Sequence, residues 1–175
     1  MRPSGAQNMD EQKPSRLMLP ITFMLNRKSL TRNGYDIVTI KYNSAGTVAW
    51  TAVYNRTANS FDEPTDILYD GTNIYVTGTT TRTNGTGLDY VTLKYNGSTG
   101  ALIWNSFYTG LGVSDDIATK IAFKNGSAYV TGKGFYSGST NADYVTIKYN
   151  GTTGDSVWVK NYNGTGNGND SATNT

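Results

Sequence analysis

ADYVTIKYNGTTGDSVWVKNYNG, residues 142–164, holds two runs of alternating character around a glycine-rich break. In the first run Val145, Ile147 and Tyr149 alternate with Tyr144, Thr146 and Lys148, the period of a strand with two distinct faces. NGTTG supplies turn residues, and DSVWVKNY carries the chain back, so the stretch reads as a β-hairpin. IATKIAFK from Ile117 reads the same way, because Asn125-Gly126 is a preferred turn pair and SAYVTG returns from Ser127.

Both hairpins recur. YDIVTIKYNSAGTVAWTAVYN from Tyr35 and LDYVTLKYNGSTGALIWNSFYTG from Leu88 repeat the first, and FDEPTDILYDGTNIYVTGTT from Phe61 repeats the second. Trp50, Trp104 and Trp158 stand 54 residues apart, as do Tyr75 and Tyr129. Asp10, Asp36, Asp62, Asp89, Asp116, Asp143 and Asp170 follow one another at 26 or 27 residues, each from Asp36 to Asp143 opening a pair of strand-like runs. One period is therefore two hairpins, or four short strands of a small antiparallel sheet. Apolar and aromatic residues fall on both of its faces, so such sheets must stack on one another. The fold expected is all-β, built as β-propeller blades of four antiparallel strands. An open solenoid or sandwich array is the alternative, and it calls for shorter repeats. The periods divide the chain into residues 1–34 as a partial repeat, 35–88 and 89–142 as repeats, and 143–175 as a further partial repeat.

Composition agrees. Twenty glycines and 13 tyrosines, with abundant Thr and Asn, are residues of strands and turns. A 16% charged content and a net charge of +2 give no field that implies nucleic acid. Cysteine and histidine are both absent, which excludes disulfides, thiolate metal sites and the commonest catalytic base.

DYVTIKYN, G-x-x-x-W, DIATKIA and AYVTG, in that order and spacing, resemble the bacterial β-propeller repeat labelled SBBP, over nearly the whole chain from Tyr35. The resemblance implies a module of a large secreted or surface-attached bacterial protein, a family without a common enzymatic activity. About three periods are too few for a ring, which typically takes four to eight blades. An incomplete propeller is expected, partnered by further blades of a longer parent chain or by other copies.

SRLMLPITFMLNRKS, from Ser15, departs from the repeat. As a secretion signal it has acidic Asp10 and Glu11 just upstream and no small-residue cleavage site after it. As a membrane span it has about half the needed length. In phase with the repeat, residues 12–25 occupy the slot of ATKIAFKNGSAYV without resembling it. Codons exist for Arg16 to Leu25 whose bases, read from the third position, spell Val-Asp-Ala-Ser-Asn-His-Val-Tyr-Val, a good version of the missing strands. Two compensating frameshifts bracketing about residues 12–25 are the expected cause; a structureless extension and a targeting segment are the other readings.

Three sets of residues invite chemistry. Asp62, Asp116 and Asp170, with Asn167 and Asn169, offer oxygen ligands of the kind calcium takes. Their regular recurrence reads instead as a device that accepts backbone N–H groups and fixes a turn, leaving stability indifferent to calcium. Trp50, Trp104 and Trp158, with Tyr42, Tyr95 and Tyr149, read as filling between stacked sheets rather than as sugar platforms. Lys41, Lys94 and Lys148 are expected to lay their stems over the sheet and reach water with the ammonium. Glycosylation tripeptides begin at Asn55, Asn84, Asn96, Asn125, Asn150, Asn163 and Asn169; most are Asn-Gly and read as turns. Glu11 and Glu63 are the only glutamates, and no catalytic, cofactor or metal site is expected. The function expected is a non-enzymatic scaffold or binding surface, with protein or glycan as ligand class and no membrane span. The alternative is a fragment of a propeller enzyme acting on polysaccharide through blades outside this chain.

Overall fold

The alternation and the turn residues fold as hairpins, and the hairpins assemble into three sheets. The computed structural model describes the backbone of residues 22–28 and all atoms of residues 34–57, 61–82, 87–110, 114–135, 141–166 and 168–170. The first sheet comprises β1 (Thr22–Lys28), β2 (Tyr35–Tyr42) and β3 (Val48–Tyr54) in that order. The second is β4 (Asp62–Tyr69), β5 (Asn73–Thr81), β6 (Leu88–Asn96) and β7 (Leu102–Tyr108), again in chain order. The third repeats it with β8 (Ile117–Lys124), β9 (Ser127–Gly134), β10 (Asp143–Asn150) and β11 (Ser156–Tyr162). All pairings within the sheets are antiparallel, and the described residues contain no helix.

The fold is thus all-β. Its sheets break the chain after Tyr108 and before Ile117, half a period out of step with divisions at 88 and 142. The register itself repeats: Lys94 of β6 faces Tyr75 of β5, and Lys148 of β10 faces Tyr129 of β9. Lys41 of β2 faces Thr22 of β1, so β1 takes the same place in its sheet although TFMLNRK has none of the repeat's residues. Residues 12–21 of the segment read as frame-disrupted lie outside the described residues, as do Asp10, Glu11, Asn84 and Asn167.

Two apolar layers hold the sheets together. Ile37 and Tyr54 of the first sheet meet Ile74, Val76, Val91, Leu93 and Tyr95 of the second. On the opposite face of the second sheet, Tyr75, Tyr90 and Trp104 meet Ile121, Val130, Val145, Ile147 and Tyr149 of the third. The second sheet is therefore sandwiched, which is why β6 is buried from Asp89 through Tyr95 on both of its faces. At roughly 1.5–3 kcal/mol for each fully buried large apolar side chain, these layers dominate cohesion.

Candidate functional site

The contact between sheets is built from a tryptophan, a lysine and a glycine turn. Trp50 Nε1 and Lys41 Nζ both donate to the carbonyl of Gly97, at 3.2 and 2.5 Å. One period later Trp104 Nε1 and Lys94 Nζ both donate to the carbonyl of Gly151, at 3.3 and 2.6 Å. Gly97 and Gly151 begin the β6–β7 and β10–β11 turns, so each indole caps the hairpin tip of the next sheet. Gly100 and Gly154 close these turns at φ 74° and 81°, and a Cβ on either would stand 2.7 Å from the indole of Trp50 or Trp104. Glycine is needed there for both reasons. The expectation that Lys41 and Lys94 reach water is corrected: Lys94 is 8% exposed, and both ammonium groups end on a carbonyl of the neighbouring sheet. Stacking removes the water above each lysine, and the orphan carbonyl of the turn replaces it. Lys148, on the outer face of the third sheet, lies 5.7 Å from the ring centre of Tyr129.

The aspartates lie at the ends of the strands. Asp62, Asp116 and Asp170 each accept the backbone N–H six residues earlier, from Arg56, Gly110 and Gly164 at 3.1, 2.6 and 2.6 Å. Asp62 also accepts the hydroxyl of Thr80, and Asp116 the amide of Phe135 at 3.0 Å. Between them runs a buried ionic chain that sequence reasoning missed. Arg56 Nη1 pairs with Asp89 at 2.7 Å; Arg82 pairs through Nε with Asp89 at 2.6 Å and through Nη2 with Asp116 at 3.0 Å. Arg82 Nη2 further donates to the carbonyl of Ser114 at 3.0 Å. Two arginines and two aspartates balance. Burial nonetheless pushes the Asp116 carboxyl above its ordinary 3.8, against the amides of Gly110 and Phe135 and the Arg82 charge. The arginines did not stand out as a motif because the following period lacks both: Gly110 and Tyr136 stand 54 residues after them.

The tryptophans and tyrosines divide by position. Trp104 is buried in the layer between sheets, with its centroid 6.4 Å from that of Tyr149; Trp50 sits 6.5 Å from Tyr95 one period earlier. Burial drives the phenols of Tyr90, Tyr95 and Tyr149 far above their ordinary 10.0, so none exchanges a proton near neutrality. The Tyr95 and Tyr149 hydroxyls lie beside Thr39 and Thr92 without reaching hydrogen-bond geometry. Tyr42 is half-buried on the face of the first sheet away from the second. Trp158 is half-buried on the outer face of the third sheet, 6.1 Å from Tyr129. There a recess of about 240 Å³ opens between Tyr129, Tyr144, Thr131, Thr146 and Lys120.

Three of the sequon asparagines make turns, while Asn169 accepts the amide of Ala142, 27 residues away. Asn125 and Gly126 adopt φ 50° and 73°, the left-handed pair of a two-residue hairpin. Asn96 accepts the amides of Ser98 and Thr99, and Asn150 those of Thr152 and Thr153. Among the described residues no group of three or more Asp, Glu, His or Cys gathers as a metal cluster. No helix in them is long and apolar enough to cross a membrane. No family model matches the sequence, and no curated protein is significantly similar to it.

Proposed function

We propose that the chain is a run of β-propeller blades, a non-enzymatic module that serves as scaffold or binding surface in a longer bacterial protein, secreted or held at the cell surface. The observation that carries this reading is the repeated contact between sheets: Trp50 and Lys41 on Gly97, then Trp104 and Lys94 on Gly151. A bond set that recurs after one period belongs to units designed to stack, since an active site is single whereas a joint is repeated. The bacterial and extracellular setting rests on the resemblance of DYVTIKYN and its companion motifs to SBBP repeats. The outer face of the third sheet, with Tyr129, Tyr144, Lys148 and Trp158, offers the next unit the same side chains that Tyr75, Tyr90, Lys94 and Trp104 offer the third sheet. Uncovered, such a face drives association. Sedimentation over a range of concentrations tests the reading. The chain should self-associate, and Trp158→Lys should weaken that association; a 19.0 kDa monomer at every concentration, with a cooperative melt, speaks against it.

A further inference from the structure

The backbone at the end of the third sheet copies the joint before it bond for bond. The Asp116 amide donates to Leu88 O at 2.9 Å, and the Asp170 amide to Ala142 O at 2.7 Å. The Leu88 amide donates to Asp115 Oδ1 at 3.0 Å, and the Ala142 amide to Asn169 Oδ1 at 2.9 Å. Asp116 and Asp170 accept the amides of Gly110 and Gly164 at the same 2.6 Å. The acidic framework that surrounds Arg82 is therefore present a second time, with Asp143 for Asp89, Asp170 for Asp116 and, in the sequence, Gly168 where Ser114 stands one period earlier.

The cations are not. Gly110 replaces Arg56, and a Cβ there would stand 2.5 Å from Phe135 O and 2.6 Å from Asp116 Oδ1, so no side chain fits. Tyr136, outside the described residues, replaces Arg82 in the sequence, and neither 134–147 nor 161–175 contains a lysine or arginine. Asp143 is 3% exposed, and its Oδ1 is buried without a hydrogen-bond partner among the described residues. An ionised carboxylate left in that state is among the costliest arrangements a protein can hold. In the preceding joint two arginine charges neutralise two aspartates; here two aspartates stand with none among the described residues.

We propose that Asp143, Asp170 and the carbonyl of Gly168 hold a calcium ion, whose two charges replace those of Arg56 and Arg82. The donor set is all hard oxygen, which suits calcium, and half-buried Asp170 leaves room for water to complete its coordination. With only two carboxylates the site belongs to the weak class, with dissociation constants of roughly 0.1–1 mM. This inference is independent of the scaffold reading, and it singles out one joint while leaving the aspartates of the other as turn and ion-pair residues.

The test is thermal unfolding of the full chain in EDTA and in calcium chloride, with magnesium chloride at equal ionic strength as control. Ten millimolar calcium should raise Tm by about 3–10 °C, and magnesium should raise it less. Asp143→Asn removes the charge while keeping the shape; it should fold in EDTA at least as well as the parent and lose the calcium response. Terbium luminescence sensitised by the tyrosines reads binding directly and should vanish in the same variant. A parent chain whose Tm ignores calcium, or an Asp143→Asn chain that keeps the full calcium shift or the terbium signal, overturns the proposal.

Discussion

The second and third sheets carry nearly the same residues and live in different surroundings. Tyr75, Tyr90 and Lys94 are 1%, 0% and 8% exposed, whereas Tyr129, Tyr144 and Lys148, at matching positions, are all half-buried. The difference lies in what covers them, since the third sheet rests on the outer face of the second. The repeat therefore encodes a joint, two complementary faces that meet only when a neighbour is present, and burial follows from stacking rather than from residue type. The lysines show this most directly: both lie over a tyrosine ring, Lys94 over Tyr75 at 5.4 Å and Lys148 over Tyr129 at 5.7 Å, and Lys94 also ends on a carbonyl across the joint.

The largest separation between the two sheets is expected from their tryptophans. Trp104→Ala should cost about 3–5 kcal/mol in denaturant unfolding, because it empties the buried layer and leaves the Gly151 carbonyl with Lys94 as its one side-chain donor among the described residues. Trp158→Ala should cost under about 1 kcal/mol, as for a surface residue. Equal losses would break the comparison.

Next come the arginines. Among the described residues, Arg82→Met leaves Asp89 with Arg56 alone and takes the only charge partner from Asp116, so a loss of about 3 kcal/mol is expected. A chain that unfolds at the parent's denaturant midpoint would show the ionic chain to be energetically idle. A smaller contrast follows for the lysines: Lys94→Met should cost about 1.5–3 kcal/mol through its charged hydrogen bond, and Lys148→Met within about 0.5 kcal/mol of nothing.

Strand positions were legible in the sequence for a local reason. Alternation in YVTIKY and the Asn125-Gly126 pair act over a few residues, and β8, β9, β10 and β11 fall where those signals lie. The recurrence of tryptophan likewise pointed to the space between sheets, where Trp104 is found. What the sequence concealed is non-local. A period has no intrinsic beginning, so the breaks between sheets fell at half-period. The lysine contacts depend on a carbonyl 56 or 57 residues away. Arg56 and Arg82 escaped because a search for repeats passes over residues that the next copy lacks. β1 is the opposite case: pairing along β2 supplies the strand although its residues give no repeat signal.

The smallest expected effect is on pH dependence, where Asp70, beside the second sheet, and Asp116, beside the third, act with opposite sign. At Asp70 burial is outweighed by the amides of Asn73 and Thr72 and by Tyr75, which hold its carboxyl below 3.8. Its stabilisation is present above 3.8 and lost as pH falls through the lower folded value. Asp116, raised mainly by burial, favours the folded state below 3.8 and loses that contribution as pH rises through its folded value. Asp70→Asn should flatten the acid limb of a stability-against-pH curve and Asp116→Asn should steepen it; the same change of slope in both would contradict the assignment.

The joint itself is tested most directly by giving the third sheet a neighbour. A copy of residues 122–175 appended after Thr175 continues the chain in phase with its 54-residue period. The quantity to measure is the cost of Trp158→Ala before and after the extension. If the outer face of the third sheet is one half of the joint, that cost should rise from under about 1 kcal/mol to the 3–5 kcal/mol expected for Trp104→Ala, roughly the worth of a buried large aromatic. A cost that stays under about 1 kcal/mol in a folded, extended chain would mean that the repeated faces do not stack, and the account of the molecule as a series of joints would fail.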